Sequence, residues 1–106
     1  MIKLYVDDER TPPDGWILAK NYKEAIDILI KEEGNIYALS LDHDLGGIGT
    51  NEKNGNDIAQ WLEKQVYTKG YKAPRHLHSH SMNPVGKRNI KNTLYSIYKF
   101  SQKKDN

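Results

Sequence analysis

The sequence predicts a small α/β fold in which a parallel sheet of three to four strands packs with three helices. Two observations lead to this prediction. Short apolar segments with strand character alternate with longer segments of helical spacing, in the order β, short β, α, β, α, β, α. Strands that alternate with helices in this way pair in parallel through right-handed crossovers.

The strand signals are short apolar runs at residues 1–6, 16–19, 36–41 and about 75–79. The first helix is expected after Asn21, which has capping-box spacing to Glu24, and before Gly34 as its C-cap. Its apolar stripe is Tyr22, Ala25, Ile26, Leu29 and Ile30. A second helix is expected over about 56–69, ending at Gly70, with inward residues Ile58, Ala59, Leu62 and Val66. The third helix begins at Asn83-Pro84, and its apolar face is Ile90, Leu94, Ile97 and Tyr98.

Length and composition indicate one domain, residues 1–106, located in the cytoplasm. No cysteine is present, which excludes disulfides, thiolate zinc sites and thiol catalysis and fits a reducing compartment. No apolar run approaches the roughly 20 residues of a membrane span, so no membrane partner is expected. The net charge is +2, but residues 84–106 alone carry +5. Phosphate attraction is one interpretation of that basic helix, and an ordinary solvated helix face is the favoured one.

Three predicted strands end in polar side chains. Asp7-Asp8 follows the first strand, Asp42-His43-Asp44 follows the strand at 36–41, and His80-Ser81 follows the last strand. Ligands bind outside the carboxyl ends of the strands in open parallel sheets. The sequence therefore predicts one pocket that these three strand ends share.

The carboxylates in that pocket have two interpretations. Asp7, Asp8 and Asp42 together suit a divalent metal such as Mg²⁺, because clustered carboxylates raise one another's pKa unless a cation is present. Alternatively, Asp7 or Asp8 only caps a turn before the two prolines. The metal interpretation is favoured, because Asp42 reaches the same edge of the sheet independently.

The histidines also allow more than one role. His43, between two acids, is a candidate general base or acid, with metal binding and plain surface exposure as alternatives. His76, His78 and His80 share one face of a strand, but His76 and His80 are roughly 13 Å apart at the rise of a strand, so they cannot all serve one site. His80, at the carboxyl end, is the candidate. His78 is a possible core histidine, and His76 is structural or exposed.

The last helix begins directly after His80-Ser81, and free amides at a helix N-terminus attract anions. Asn83, Gly86 and Lys87 are therefore candidate phosphate-binding residues, although the same residues would make an ordinary well-capped helix. No P-loop, dinucleotide fingerprint or calcium loop is present, and the aromatic residues form no base-stacking platform. Sequence-specific nucleic-acid binding is therefore not expected.

Five elements taken together resemble the cyclic-phosphate-processing receiver-like domain family of bacteria and phages. They span nearly the whole chain: Asp7-Asp8-x-Arg10-x-Pro12-Pro13-x-x-Trp16, Ser40-Leu41-Asp42-His43-Asp44-Leu45-Gly46, Gly55-x-Asp57, Trp61-Leu62 and His80-Ser81-x-Asn83-x-x-Gly86. The resemblance implies a three-layer receiver-like (flavodoxin-like) fold. It is truncated relative to a full receiver, because no fifth strand with a receiver-type lysine is evident.

The resemblance also implies a function, the hydrolysis of a cyclic phosphate in a nucleotide or ADP-ribose type of small molecule. The resemblance implies an active site formed by Asp7 and Asp8, the triplet Asp42-His43-Asp44, and His80, Ser81 and Asn83. In the hydrolysis hypothesis, the catalytic residues are His43, His80, Asp42 and Asp44, the phosphate-binding residues are Arg10, Ser81, Asn83, Gly86 and Lys87, and the metal ligands are Asp7, Asp8 and Asp42. Two alternatives stay open. One is a receiver-type signalling module that accepts phosphoryl on Asp42, and the other is a protein that binds a cyclic nucleotide without turning it over.

Overall fold

The computed structural model of the chain describes residues 1–45 and 53–104, with side chains up to residue 101. Its elements are β1 (Ile2–Val6), β2 (Ile17–Ala19), α1 (Tyr22–Lys31), β3 (Ile36–Leu41), α2 (Gly55–Lys69), β4 (His76–Ser79) and α3 (Pro84–Lys104). The predicted element order is confirmed, including the short second strand. Gly46, part of the motif that follows β3, lies outside the described residues.

The four strands form one parallel sheet in the order β2-β1-β3-β4. Val6 pairs with Leu41 and Leu41 pairs with Ser79, so β1, β3 and β4 end side by side. The fold class is confirmed as a compact receiver-like α/β fold with four parallel strands and three helices. This register places the residues that follow the three strands at one edge of the sheet.

The three helices lie on one face of this sheet. The connections from β2 to β3 and from β3 to β4 cross the sheet in the same direction, so right-handed crossovers place α1 and α2 on the same side. Helix α2 contacts both α1 and α3. In the described part of the chain, no helix covers the opposite face, so sheet and helices form two layers and not the expected three.

Successive side chains of each strand point to opposite faces of the sheet, one covered by the helices and one not. Leu4, Val6, Leu39 and Leu41 are buried in the core with residues of all three helices. Tyr5 and Ser40 point the other way, and both are still buried. Asp7 and Asp42 follow at the next alternate positions on that second face, because side chains of a strand alternate with a period of two. The side chains that form the candidate site thus continue the face that the helices leave uncovered.

Helix α1 begins as predicted, with the Asn21 side chain accepting a hydrogen bond from the Glu24 amide. Two expectations about its end were wrong. Ile30 is 60% exposed, because it lies at the margin of the apolar stripe one residue before the helix ends. The C-cap is Glu32, and Gly34 (φ +80°) instead forms the turn into β3 that the Asn35 amide closes.

Helix α2 begins against the end of β3. Asn54 and Asp57 form a capping box, and Gly55 donates its amide to the His43 carbonyl. A Cβ at Gly55 would lie 1.9 Å from the Asp42 carbonyl oxygen, so only glycine permits this close approach. The predicted inward residues and the Gly70 C-cap are confirmed.

Helix α3 buries Ile90, Leu94 and Ile97 as predicted. Tyr98 was placed on the same face and is instead 55% exposed, because the neighbouring Ile97 takes the inward position and turns Tyr98 to the side. Among the described residues, no helix combines the length and apolar character that crossing a membrane requires.

Candidate active site

Three carboxylates meet at the carboxyl edge of the sheet. Asp7 and Asp8 directly follow β1, and Asp42 directly follows β3, which pairs with it. One oxygen from each carboxylate lies within 4.8 Å of the others. Asp7 is 1% exposed, Asp42 is half-buried and Asp8 is exposed. The structure therefore brings together the three acids that the sequence selected as a metal-binding set.

Asp7 has hydrogen bonds on both carboxylate oxygens. Its Oδ1 accepts from the amides of Glu9 (2.8 Å) and Arg10 (2.9 Å), and its Oδ2 lies 3.0 Å from His80 Nε2. Burial raises the pKa of Asp7, but the two amides and His80 outweigh burial, so the pKa lies below its ordinary value. Asp7 thus caps the turn after β1 and also belongs to the carboxylate cluster, which combines the two interpretations of the sequence.

Asp42 has the opposite shift. Burial raises its pKa, and the negative charge of Asp7 raises it further. His80, the His43 amide and the Ser81 hydroxyl stabilise the ionised form without cancelling these effects. Neighbouring carboxylates with opposite shifts indicate crowded negative charge, which a bound cation or a proton would relieve.

His80 is held on both ring nitrogens. Its Nδ1 lies 2.7 Å from Ser40 Oγ, and its Nε2 faces Asp7. The ring stacks on Tyr5 with centroids 4.1 Å apart and planes 8° from parallel. Because an ionised carboxylate only accepts hydrogen bonds, Nε2 donates its proton to Asp7. His80 is thus fixed in position and tautomer, as an imidazole that orients the buried Asp7.

His43 has a different environment. Its Nδ1 lies 2.9 Å from Asp44 Oδ1, and its side chain is 18% exposed. Its Nε2 has no hydrogen-bond partner within residues 1–45 and 53–104. The ring packs on Gly86, where a Cβ would lie 2.2 Å from the imidazole Cγ. A carboxylate that binds one ring nitrogen and leaves the other open is the arrangement that general acid–base catalysis requires.

The hydroxyl of Ser81 connects β4 to the cluster. Ser81 is 5% exposed, and its Oγ accepts from the Asn83 amide (3.1 Å) while it bonds to Asp42. The Ser81 hydroxyl therefore stabilises Asp42. The sequence analysis proposed the same hydroxyl for phosphate binding.

Asn83 caps α3, as its position before Pro84 predicted. Its Oδ1 accepts hydrogen bonds from the amides of Val85 and Gly86, each at 3.1 Å. Gly86 also lies against the ring of His43, which leaves no room for a Cβ at this position.

Arg10 and Lys87 lie at the margin of the cluster. Arg10 is exposed, and its Nη1 makes a long contact of 3.5 Å with the His80 carbonyl. Lys87 is half-buried and lines a groove beside β4. Both cations are close to elements of the site, and neither has an ion pair among the described residues.

The two remaining histidines stand apart. His76 and His78 are exposed, with ring centroids 6.3 Å apart. The expectation that His78 might be a core histidine was wrong, because the sheet face that it occupies has no helix over it. Neither residue takes part in the Asp7–His80 contact, as expected from the rise along a strand.

Sequence analysis missed Ser40 and Tyr5, which hold His80 from two sides. The signal was present in the strand period. Tyr5 and Asp7, Ser40 and Asp42, and His78 and His80 are pairs at alternate positions, so they share one face. Reading each strand two residues back from its polar end would have found both.

The site combines three neighbouring carboxylates with two imidazoles. Both ring nitrogens of His80 have hydrogen-bond partners, whereas His43 has a partner at Nδ1. Such a set can bind a divalent cation, transfer a proton and accept a small anionic ligand. No curated protein and no solved structure matches the chain. The sequence profile described as the Cyclic-phosphate processing Receiver domain matches residues 2–96, which contain every candidate site residue. The chain therefore belongs to the family of cyclic-phosphate processing receiver domains.

Proposed function

We propose that this chain is a phosphoesterase that opens the cyclic phosphate of a nucleotide or ADP-ribose type of small molecule. A water attacks phosphorus, one of the two ring P–O bonds breaks, and the product is a phosphomonoester with a free hydroxyl. The supporting observation is the cluster of Asp7, Asp8 and Asp42 within 4.8 Å, next to two imidazoles in different hydrogen-bonding states. Family membership supports the substrate class.

The carboxylate cluster fits a hard divalent cation such as Mg²⁺. All three donors are oxygen atoms, and burial together with the negative charge of Asp7 raises the pKa of Asp42. Asp7, Asp8 and Asp42 would hold the ion. When bound, it supplies a positive charge that lowers the repulsion between the carboxylates and an anionic phosphate and polarises the phosphoryl oxygens.

Proton transfer falls to His43 in this proposal. Asp44 binds Nδ1, so Nε2 presents its lone pair for a proton from water or, once protonated, donates to the departing oxygen. Sequence analysis divided the two duties between His43 and His80. The hydrogen bonds of His80 to Ser40 and Asp7 favour a positioning role for that residue instead.

The experiment is hydrolysis of a panel of cyclic mononucleotides and ADP-ribose cyclic phosphate, followed by ³¹P NMR with and without Mg²⁺. We expect His43→Ala to lose roughly 100-fold or more in kcat, the usual contribution of a general acid or base. His76→Ala is the matched control, because His76 is an exposed histidine away from the cluster. Full activity of His43→Ala would refute the role of His43, and an inactive wild type on every substrate would refute the reaction class.

A second candidate function is phosphoryl acceptance on Asp42. The observation that favours it is the contact of Asp42 with the Ser81 hydroxyl beside two further carboxylates, an arrangement similar to that of receiver domains. Incubation with acetyl phosphate distinguishes the two functions by mass spectrometry. A phosphoryl adduct on Asp42 supports signalling, whereas turnover of a cyclic phosphate without an adduct supports hydrolysis. A ligand that binds tightly and is recovered intact supports a binding protein.

A further inference from the structure

A groove runs along the outer edge of β4 beside α3. Its volume is about 640 Å³, and its floor is apolar, with Leu77 from β4 and Leu94 and Ile97 from α3. Tyr95 and Tyr98, which are 56% and 55% exposed, form its outer wall. This side of the sheet is separate from the carboxylates, which lie beyond the ends of the strands.

Within residues 1–45 and 53–104, no strand pairs with the edge of β4 that faces the groove. β4 is the last strand of the sheet order, and His80 donates its amide to Leu41 on the β3 side. Main-chain groups of successive residues face alternate sides of a parallel strand, so those of Leu77 and Ser79 face outward. Ser79 Oγ is also buried and has no hydrogen-bond partner in the described structure. The groove thus combines a free strand edge with an apolar floor.

The groove is also basic. Arg75, Lys87 and Lys91 line it, and no acidic residue does. The surrounding chain has the same character, because residues 64–104 contain ten Lys and Arg and no Asp or Glu. An extended segment that lies here would meet positive charge along its length.

We propose that this groove binds an extended acidic segment of a partner protein, which adds a fifth strand to the sheet at β4. The main chain of the segment pairs with Leu77 and Ser79, its apolar side chains contact the floor, and its acidic side chains face the three cations. A second copy of this chain fits poorly, because it would place two basic grooves against each other. A nucleic acid lacks main-chain amides and cannot complete the ladder.

The first test uses a short synthetic peptide in which valine and glutamate alternate, and a matched peptide with lysine in place of glutamate. Fluorescence anisotropy measures both affinities at low and high salt. The glutamate peptide is expected to bind at least about tenfold more tightly than the lysine peptide and to weaken as salt screens the charges. Amide hydrogen exchange at Leu77 and Ser79 is expected to slow in the complex.

The second test reverses one charge in the groove. Lys91→Glu is expected to weaken the glutamate peptide by about fivefold to tenfold, the effect of losing one surface ion pair and adding a repulsion. Arg88→Glu is the matched control. It makes the same change of charge on the same helix, and Arg88 is exposed without lining the groove. We expect it to leave the affinity within about twofold, because Arg88 does not line the groove and an exposed charge without a direct partner contributes little.

Four results of the binding experiments would overturn the proposal. They are no binding of the glutamate peptide, equal weakening by Lys91→Glu and Arg88→Glu, unchanged hydrogen exchange at Leu77 and Ser79 in the complex, and tighter binding of a single-stranded oligonucleotide than of the peptide. Self-association through β4, detected by sedimentation of the chain alone, would assign the groove to a second copy and would also overturn it. None of these measurements depends on the cyclic-phosphate activity.

Discussion

Replacing Asp42 by asparagine is the sharpest test of the carboxylate cluster. The change keeps the shape of the side chain and an acceptor for Ser81 and the His43 amide, but it removes one negative charge. Two charges 4.8 Å apart repel by about 3.5 kcal/mol at an effective dielectric constant of about 20. The weaker hydrogen bonds of a neutral amide and the lost attraction to His80 offset part of this. We therefore expect Asp42→Asn to stabilise the metal-free fold by about 1 to 3 kcal/mol.

The assay is urea denaturation in EDTA and in MgCl₂. A cation that binds only the folded state stabilises the wild type by about 2.7 kcal/mol at 100 times its dissociation constant. Asp42→Asn is expected to lose most of this gain. The difference in unfolding free energy between the variant and the wild type should therefore become smaller or change sign in Mg²⁺. Asp14→Asn is the control, because Asp14 is an exposed carboxylate outside the cluster.

The pH dependence gives an independent check. The folded pKa of Asp42 is raised, so the folded state binds this proton more tightly and gains stability as pH falls from the raised pKa towards 3.8. Asp7 has a lowered pKa, so its stabilisation is present above 3.8 and is lost as pH falls below that value. The advantage of Asp42→Asn should therefore shrink as pH falls towards 3.8. If the variant is less stable than the wild type in EDTA near pH 7, or if Mg²⁺ stabilises both equally, the cluster is not the charged site described above.

Three further changes test two supports of the site and one contact of the core. Ser40→Ala removes the hydroxyl at His80 Nδ1 and should lower the free energy of unfolding by about 1 kcal/mol, measured in urea, with a shifted ¹⁵N resonance of Nδ1; an unchanged Nδ1 resonance would contradict the contact. Gly86→Ala should gain about 1 kcal/mol of helix propensity and lose about 1 to 3 kcal/mol to the clash with His43, so a raised Tm with unmoved His43 ring resonances would contradict the packing. Tyr71→Phe removes a buried hydrogen bond to a main-chain carbonyl of α1 and should cost about 1 kcal/mol; no loss in urea would contradict it.

The position of the site largely follows from the sequence, because the hydrophobic periods of strands and helices show where each element begins and ends. Strands that alternate with helices pair in parallel, so the residues after β1, β3 and β4 must share one edge. This is why Asp7, Asp8, Asp42 and the His80–Ser81 pair come together as predicted. The Asn21 N-cap of α1 and the Gly70 C-cap of α2 were also predicted correctly, because each depends on residues within one turn of the helix.

The exceptions depend on contacts between elements that are distant in sequence. Gly86 permits a close approach by the ring of His43 from the end of β3, a contact that no pattern around Gly86 indicates. The exposure of His78 depends on which face of the sheet the helices cover, which follows from the direction of both crossovers. A pattern along one segment contains neither of these facts.

The two histidines show why residue type alone does not assign a catalytic role. The sequence places each beside a cluster of polar residues, and both reach the same edge of the sheet. His80 lies between a hydroxyl and a buried carboxylate and stacks on Tyr5. A proton transfer at Nε2 would break its contact with Asp7, and one at Nδ1 would break its contact with Ser40. His43 has one carboxylate at one nitrogen, so its other nitrogen can exchange a proton while the ring stays in place. The chemistry is therefore expected to depend on His43, and the geometry of the acidic cluster on His80.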